Sequence, residues 1–365
     1  MVTKGKRTSS DKTEIDIPGS SAIRKKGPSW SKPTHEMMDL KQSSLRQPLL
    51  HTGDMKVFLV FVVIGFTVYG NSLNNPFIWD DDYLIVQNKL VTDDTALSEI
   101  FRADIMVGAG HHQSKFYRPL QILSYRIDYL LWSENPFGFH LSSTLLHSVN
   151  AFLVLLFIRA VFELRWLALF SSFLFLIHPV QTEAVTYIAS RSENLMVCFF
   201  LGSLLFYRQY RSLGHFIYLG LSLLFFGCSL LSKEMAVSLP LIVLTLDLLW
   251  SDKQPIEDRL LTRYLPYFMV LFLYVYLRVS VLDLPKEAIT TYGVLPEHYT
   301  ASLFVRLLTF FKVLSVYIGL LVFPIVLSME RSISGGVSLS QPMVFGPLLI
   351  TIVLMVTAYI VERRF

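Results

Sequence analysis

Residues 57–73 read VFLVFVVIGFTVYGNSL, a stretch without a single charged side chain. As a helix it would rise about 25 Å, close to the thickness of a bilayer's hydrocarbon core. Comparable runs, with few or no charges, recur near 141–158, 166–177, 195–207, 216–231, 236–250, 264–282 and 343–361. Of the 365 residues 53% are hydrophobic and only 16% charged, against ~25% charged in soluble domains, and the mean hydropathy is +0.49. The reading is an all-α polytopic membrane protein. A soluble enzyme, a disordered regulator and a disulfide scaffold are excluded, and a membrane barrel, whose strands alternate over ~10 residues, is disfavoured. Cys198 and Cys228 both lie within apolar runs, where a thiol behaves as a small hydrophobe.

The charge is unevenly placed. Residues 1–56 hold 11 Lys/Arg against 6 Asp/Glu, so this segment carries +5 of the formal +4 and the rest sums to −1. Its Lys- and Ser-rich wording (KGKRTSSDK, IRKKGPSWSKP) buries too little to fold alone, which predicts a disordered basic cytoplasmic tail ahead of a membrane domain at 57–365. Positive residues kept on the inner side explain the basic character without a nucleic-acid partner. With the tail inside, loops 159–165, 208–215 and 251–263 are cytoplasmic and carry seven Lys/Arg, against three in the opposite loops 178–194, 232–235 and 283–300. The same bias, applied to the closing Glu362-Arg363-Arg364, predicts a surface or re-entrant path for the apolar run at 303–327 and on to 340.

The outer side holds the chemistry. Residues 74–140 form a long first outer loop, opened by NPFIWDDD at 75–82. Three adjacent carboxylates repel, so at least one of Asp80, Asp81 and Asp82 is expected to have a raised proton affinity, the property of a general base. The competing reading is a solvated acidic turn. Within the loop Pro119 is a helix-start signal, with Leu120, Leu123, Ile127 and Leu130 on one face of an amphipathic helix lying along the interface. Further outer polar residues are Arg118, His178, Glu183, Arg191, Lys233, Glu234 and Arg331. Singly such charges are interfacial anchors; together, carboxylates beside separated cations suit an acidic lipid headgroup and a hydroxyl acceptor. His140 and His147, with Asn150 beyond them, read as a polar packing stripe, since seven-residue spacing is poor for one metal. No ligand spacing calls for a metal or cofactor, although a divalent ion is compatible with the carboxylates.

The ordered motifs NPFIWDD, FYRPL, LSY, NPFGFHL, LLH, LFLIHPVQTEAVTYIASRSE and LLSKE resemble the membrane part of the transmembrane and tetratricopeptide-repeat O-mannosyltransferase family, closely over 70–250 and more loosely over 300–335. The resemblance implies a C-type glycosyltransferase-like helical bundle, related to the protein O-mannosyltransferases, that moves a sugar such as mannose from a polyprenyl-phosphate donor to a protein or glycan hydroxyl on the outer face, with membrane lipid around it. It places the acceptor-side carboxylate at Asp80 and Asp81. On that footing Arg118, Lys233, Arg191 and Arg331 are the cations for the donor phosphate, and Glu183, Glu234 and His178 position sugar or acceptor. The sequence departs from the family at Met329-Glu330, where many relatives have Asp, and the repeats that eukaryotic members carry after the membrane part are expected to be absent or lost by truncation. The wording WDDDYLIVQN and the lack of an outer Asn-x-Ser/Thr sequon favour a bacterial cytoplasmic membrane over an endoplasmic reticulum membrane. Two other classes fit less well: a flippase or transporter of lipid-linked sugars, which calls for mid-membrane polar groups of which Asp247 is the main example, and a non-catalytic assembly protein.

Overall fold

The computed structural model describes residues 50–110, 114, 116–249, 259–282, 303–328, 331, 342–351 and 353. All regular structure among them is helical. Residues 1–49 of the expected tail, and Met329-Glu330, lie outside the described residues.

Helix α1 (Asp54–Tyr69) begins three residues before the apolar run, inside the segment expected as tail. Two contacts fix that start. The His51 amide donates to Asp54 Oδ2 at 2.8 Å, and Arg159 donates to both Asp54 oxygens at 2.8 and 2.7 Å. A one-turn 3₁₀ segment, Gly70–Ser72, leads into the outer loop. There the chain forms a π-type turn (Asp82–Val86), short helices α2 (Lys89–Thr92) and α3 (Leu97–Ile100), and the anticipated α4 (Pro119–Trp132). The bundle continues with α5 (Pro136–Phe162), α6 (Arg165–Ile177), α7 (Thr182–Thr186), α8 (Arg191–Leu213), α9 (Phe216–Ser232), α10 (Leu239–Leu249), α11 (Leu265–Leu282), α12 (Leu303–Val322) and α13 (Pro342–Thr351). Local signals set these boundaries: Pro136 starts α5 behind an Asn135 side chain that accepts from the Phe137 amide, and Gly214 at φ +73° closes α8 in the left-handed region.

Asp54–Ser72, Pro136–Phe162, Leu260–Leu282 and Leu303–Val322 are each long and apolar enough to cross a membrane, and Arg165–Ile177 with Pro179–Thr186, bent by 50° between them, meets the same criterion as a pair, a broken span or a re-entrant loop. Within the 303–327 run, for which a surface or re-entrant path is expected, residues 303–322 form one continuous helix, long and apolar enough to cross and without a re-entrant break inside it. Against α1, helix α5 approaches closely at Gly65, where a β-carbon would collide with Ser148 Oγ.

Three apolar clusters hold the molecule together. One lies between α1, α5 and α6 around Phe61, Leu155 and Leu176; another joins α8, α9, α10 and α11 around Tyr207, Phe226, Val243 and Tyr267. The third belongs to the outer loop, where Leu84, Ile85, Val91, Ile100, Ile105, Ile122 and Tyr125 pack with Phe139 and Ile188. The long loop is thus a folded cap, stabilised by about 1.5–3 kcal/mol for each large apolar side chain buried. On α4 the stripe containing Ile127 and Leu130 stays outside while Gln121, Tyr125, Arg126 and Asp128 turn inward, as a helix lying along an apolar phase requires. At the opposite end of the bundle Asp247 is fully buried and accepts from Tyr207 (2.7 Å), Tyr264 (2.9 Å), Arg263 (3.3 Å) and Arg211. That network ties α8, α10 and the segment leading into α11 together.

Candidate functional site

The acidic triplet splits into two environments. Asp80 and Asp82 are exposed, whereas Asp81 is 1% exposed. Asp81 Oδ2 accepts from the Ile78 amide at 3.0 Å and Oδ1 from the Ala189 amide at 2.8 Å. Burial pushes its carboxyl up to about 6, helped by the neighbouring Asp80 charge and held back by the two amides and by Arg191. The raised proton affinity expected of the triplet thus falls on Asp81, and its oxygens are committed to the backbone. Asp80 sits beside Tyr187, whose hydroxyl accepts from the Asp80 amide at 3.3 Å. Burial, with the Asp80 and Asp81 charges, drives the Tyr187 phenol well above its usual range, so it stays protonated. Trp79 packs edge-on to Tyr187 with ring centroids 6.0 Å apart, and holds φ at +49° while 66% exposed. A tryptophan in the left-handed region costs about 1–3 kcal/mol, so the surroundings must fix this turn.

What fixes it is the segment before α8. Gln121 Nε2 donates to the Ala189 carbonyl at 2.8 Å and Tyr125 donates to the Ile188 carbonyl at 2.7 Å, so α4 grips the same residues that hold Asp81. Beneath them Arg191, 2% exposed, pairs with Asp128, donates to Ser143 Oγ at 3.2 Å and to the Phe139 carbonyl at 2.7 Å, and lies 5.0 Å above the Tyr125 ring. Every face of that guanidinium is engaged. These contacts tie α4, α5 and α8 together through Arg191.

Of the other cations, Arg118 forms a two-pronged pair with Glu234, at 3.1 and 2.8 Å, and rests 4.4 Å above the Phe116 ring. Burial raises the Glu234 carboxyl, but the Arg118 hydrogen bonds and charge outweigh it and the net shift is downward. Lys233 Nζ donates to Glu193 at 2.7 Å. Glu183 is raised by burial and by Glu193, against a smaller lowering by Lys233, so these three charges share one neighbourhood. Both cation pairs retain partial exposure, 13% and 19% at Arg118 and Lys233.

Two expected members do not join. His178 is a pin: Nε2 meets the Leu321 carbonyl at 3.1 Å while Nδ1 accepts from the Val180 amide at 3.2 Å, which uses both ring nitrogens and assigns the neutral Nε2–H tautomer. These bonds hold His178 between the end of α12 and the turn before α7. Arg331 bonds the Val326 carbonyl five residues away in the turn after α12. His140 and His147 meet the carbonyls of Asn75 (3.2 Å) and Leu176 (3.1 Å), and Asn150 donates to the Asn194 carbonyl at 2.8 Å, the anticipated packing stripe. Among the described residues no three His, Cys, Asp or Glu side chains converge as a metal site. Sequence reasoning missed Tyr187 and the partner role of Glu193; the only signal was their place in a polar outer loop.

This architecture, a bundle of apolar helices joined to a folded acidic loop at 74–140, is that of an all-α polytopic membrane protein. No family model matches the chain, and no solved structure matches it. Among curated proteins it is 30% identical over 293 residues to Protein O-mannosyl-transferase Tmtc2 of Drosophila melanogaster, covering 77% of this chain and 31% of that protein. It is 29% identical over 296 residues to human Protein O-mannosyl-transferase TMTC2, 75% of this chain and 35% of the relative. Mouse Protein O-mannosyl-transferase TMTC1 is 35% identical over 195 residues, 49% of this chain and 21% of the relative. The chain belongs to the transmembrane and tetratricopeptide-repeat O-mannosyltransferase family, and its matched part spans about a third or less of these relatives' length.

Proposed function

We propose that this chain is a lipid-phosphosugar-dependent glycosyltransferase that moves a sugar, mannose by the names of its relatives, from a polyprenyl phosphate to a protein Ser/Thr hydroxyl on the outer face of the membrane. The observation that carries the reading is the division of labour in the triplet. Asp80 is exposed at a rigid turn, while Asp81 is locked beneath it by the Ala189 amide on the segment that also carries Glu183 and Glu193. An exposed carboxylate on a fixed backbone can meet an acceptor hydroxyl; a carboxylate with both oxygens bound to amides cannot. Asp81, which the family resemblance names with Asp80 as an acceptor-side carboxylate, acts in this reading as a positioning residue.

In the transfer, the acceptor oxygen attacks the anomeric carbon and forms the new glycosidic bond with inversion. The hydroxyl proton passes to Asp80, and the bond from the anomeric carbon to phosphate oxygen breaks with its electron pair leaving on the polyprenyl phosphate. The growing phosphate charge calls for cations, and Arg118 and Lys233 are the partly exposed ones of the outer group. Their carboxylate partners Glu234 and Glu193 keep them extended before the donor arrives, and Glu183 offers a hydrogen-bonding group for sugar hydroxyls. The test is release of free polyprenyl phosphate by the purified chain, supplied with a polyprenyl-phosphate sugar and a Ser/Thr peptide, in wild type and Asp80→Asn. Release that is dependent on peptide and on Asp80 supports the reading; no release from wild type would favour the assembly-protein alternative.

A further inference from the structure

A cleft of about 370 Å³ opens between the outer end of α1 and the turn joining α6 to α7. Its lining includes Asn71, Asn75, Thr182 and Thr186 over an apolar floor that includes Val68 and Ile177, and none of its lining residues is charged. The volume lies within the ~300–1,000 Å³ range of ligand sites. We infer that this cleft is the acceptor subsite, taking an extended, uncharged, hydroxyl-bearing peptide; the inference rests on the transferase reading above and names where its protein substrate lies.

Charge argues first. A lipid phosphate would need a cation, and the cleft has none, whereas the Arg118 and Lys233 pairs lie outside its lining. A polyprenyl tail would meet a rim of amides and hydroxyls. A peptide fits both features: a carboxamide side chain carries a donor and an acceptor, matching the carbonyl and N–H of a peptide unit. The side-chain amides of Asn71 and Asn75 are exposed and make no hydrogen bond among the described residues.

Position argues next. Thr186 immediately precedes Tyr187, whose hydroxyl meets the Asp80 amide at 3.3 Å, and Asn75 lies in the same loop as Asp80. The cleft is thus lined by residues of the same two segments, 75–80 and 186–187, that meet at the proposed base. The walls are also fixed before anything binds: Ser72 Oγ donates to the Tyr69 carbonyl (2.7 Å), Tyr69 to the Leu176 carbonyl (3.1 Å), and His140 meets the Asn75 carbonyl (3.2 Å). Such preorganisation lowers the ordering cost of binding.

The experiment uses the full chain in detergent, a short fluorescent Ser/Thr peptide without charges, and polyprenyl-phosphate mannose. The double variant Asn71→Ala/Asn75→Ala should weaken peptide binding and raise the peptide KM by ~10-fold, with kcat at saturating peptide unchanged. Asn75→Asp should shift preference from neutral peptides toward Lys-containing ones. Unaltered peptide affinity and selectivity in both variants, with Asp80→Asn inactive, would overturn the cleft and leave the transferase reading standing. Peptide binding by wild type that is lost in the double variant, without turnover in any form of the protein, would uphold the cleft as a peptide site and sink the transferase.

Discussion

Asp81 Oδ1 accepts a hydrogen bond from the Ala189 amide at 2.8 Å, joining two residues 108 positions apart. Through it the first outer loop and the segment entering α8 become one body, and the exposed Asp80 inherits a fixed position from its buried neighbour. The same contact puts a titrating carboxyl where protonation alters folding.

The sign of that effect is set by burial. Asp81 has its proton affinity raised in the folded protein, from 3.8 to about 6, so the folded state takes up a proton that the unfolded chain releases. Its stabilising contribution is full below pH 4 or so and is lost as pH rises through about 6. Asp81→Asn cannot titrate. Thermal unfolding in detergent should therefore show wild type losing stability relative to Asp81→Asn across that window and holding a constant difference above it. Parallel profiles would show that Asp81 is not a buried titrating group.

Arg191 and Asp128 form the buried pair beneath the site, side chains 3% and 5% exposed. Removing one partner leaves an uncompensated charge, so Asp128→Ala should destabilise by about 3–5 kcal/mol. Arg191→Lys should also be poorly tolerated, because an ammonium cannot reproduce contacts to Asp128, Ser143 and Phe139 at once. Detergent-extracted protein should show a lowered unfolding temperature for both. Normal stability with reduced donor affinity would return Arg191 to the phosphate role the sequence suggested.

Much of this was readable beforehand, and the failures have a physical pattern. Pro119 marked α4 because proline at a first helical position lacks only an amide that the helix would leave unpaired. The outer charges were legible as a group because apolar runs on either side leave them nowhere else to go. Their pairing was not. Arg118 meets Glu234 across 116 residues and Lys233 meets Glu193 across 40, distances that depend on how α4, α8 and α9 pack. The same holds for Arg191, whose partner Asp128 lies 63 positions away in the chain. At Leu303–Val322 the helix is long and apolar enough to cross, whereas the charge bias at 362–364 argues for a surface path, and the sequence alone does not weigh one against the other.

Orientation has its own check. In a background without Cys198 and Cys228, a cysteine placed at Ser133, after α4, should react with an impermeant thiol reagent added to the outer face. One at Ser212, near the end of α8, should react only after the membrane is opened. The reverse pattern would put the proposed site on the wrong side for an outer-face transferase.

Arg118→Met and Lys233→Met keep much of the side-chain stem while removing the charge. Each should lower donor affinity or turnover. Arg118→Met should also lower stability modestly, because Glu234 loses a two-pronged partner in a partly buried setting. Normal transfer in both variants would make these residues interfacial anchors only.

The carboxylate triplet gives the most discriminating comparison. Asp80→Asn preserves shape and the backbone contact with Tyr187 but removes the proposed base, so transfer should fall by ~10²-fold or more at saturating donor. Donor binding should persist, since the lost group acts on the acceptor. Asp82→Asn, exposed at the start of the π-type turn and outside the pair at 80–81, should change transfer little. Asp81→Asn should fall between them and differ in kind: an amide NH₂ facing either the Ile78 or the Ala189 N–H loosens the turn, so its activity loss should come with altered stability. Each variant is compared after its amount in the membrane has been matched to wild type. Equal turnover in Asp80→Asn and wild type would exclude Asp80 as base, and a loss confined to Asp82→Asn would move the active carboxylate to the far end of the triplet.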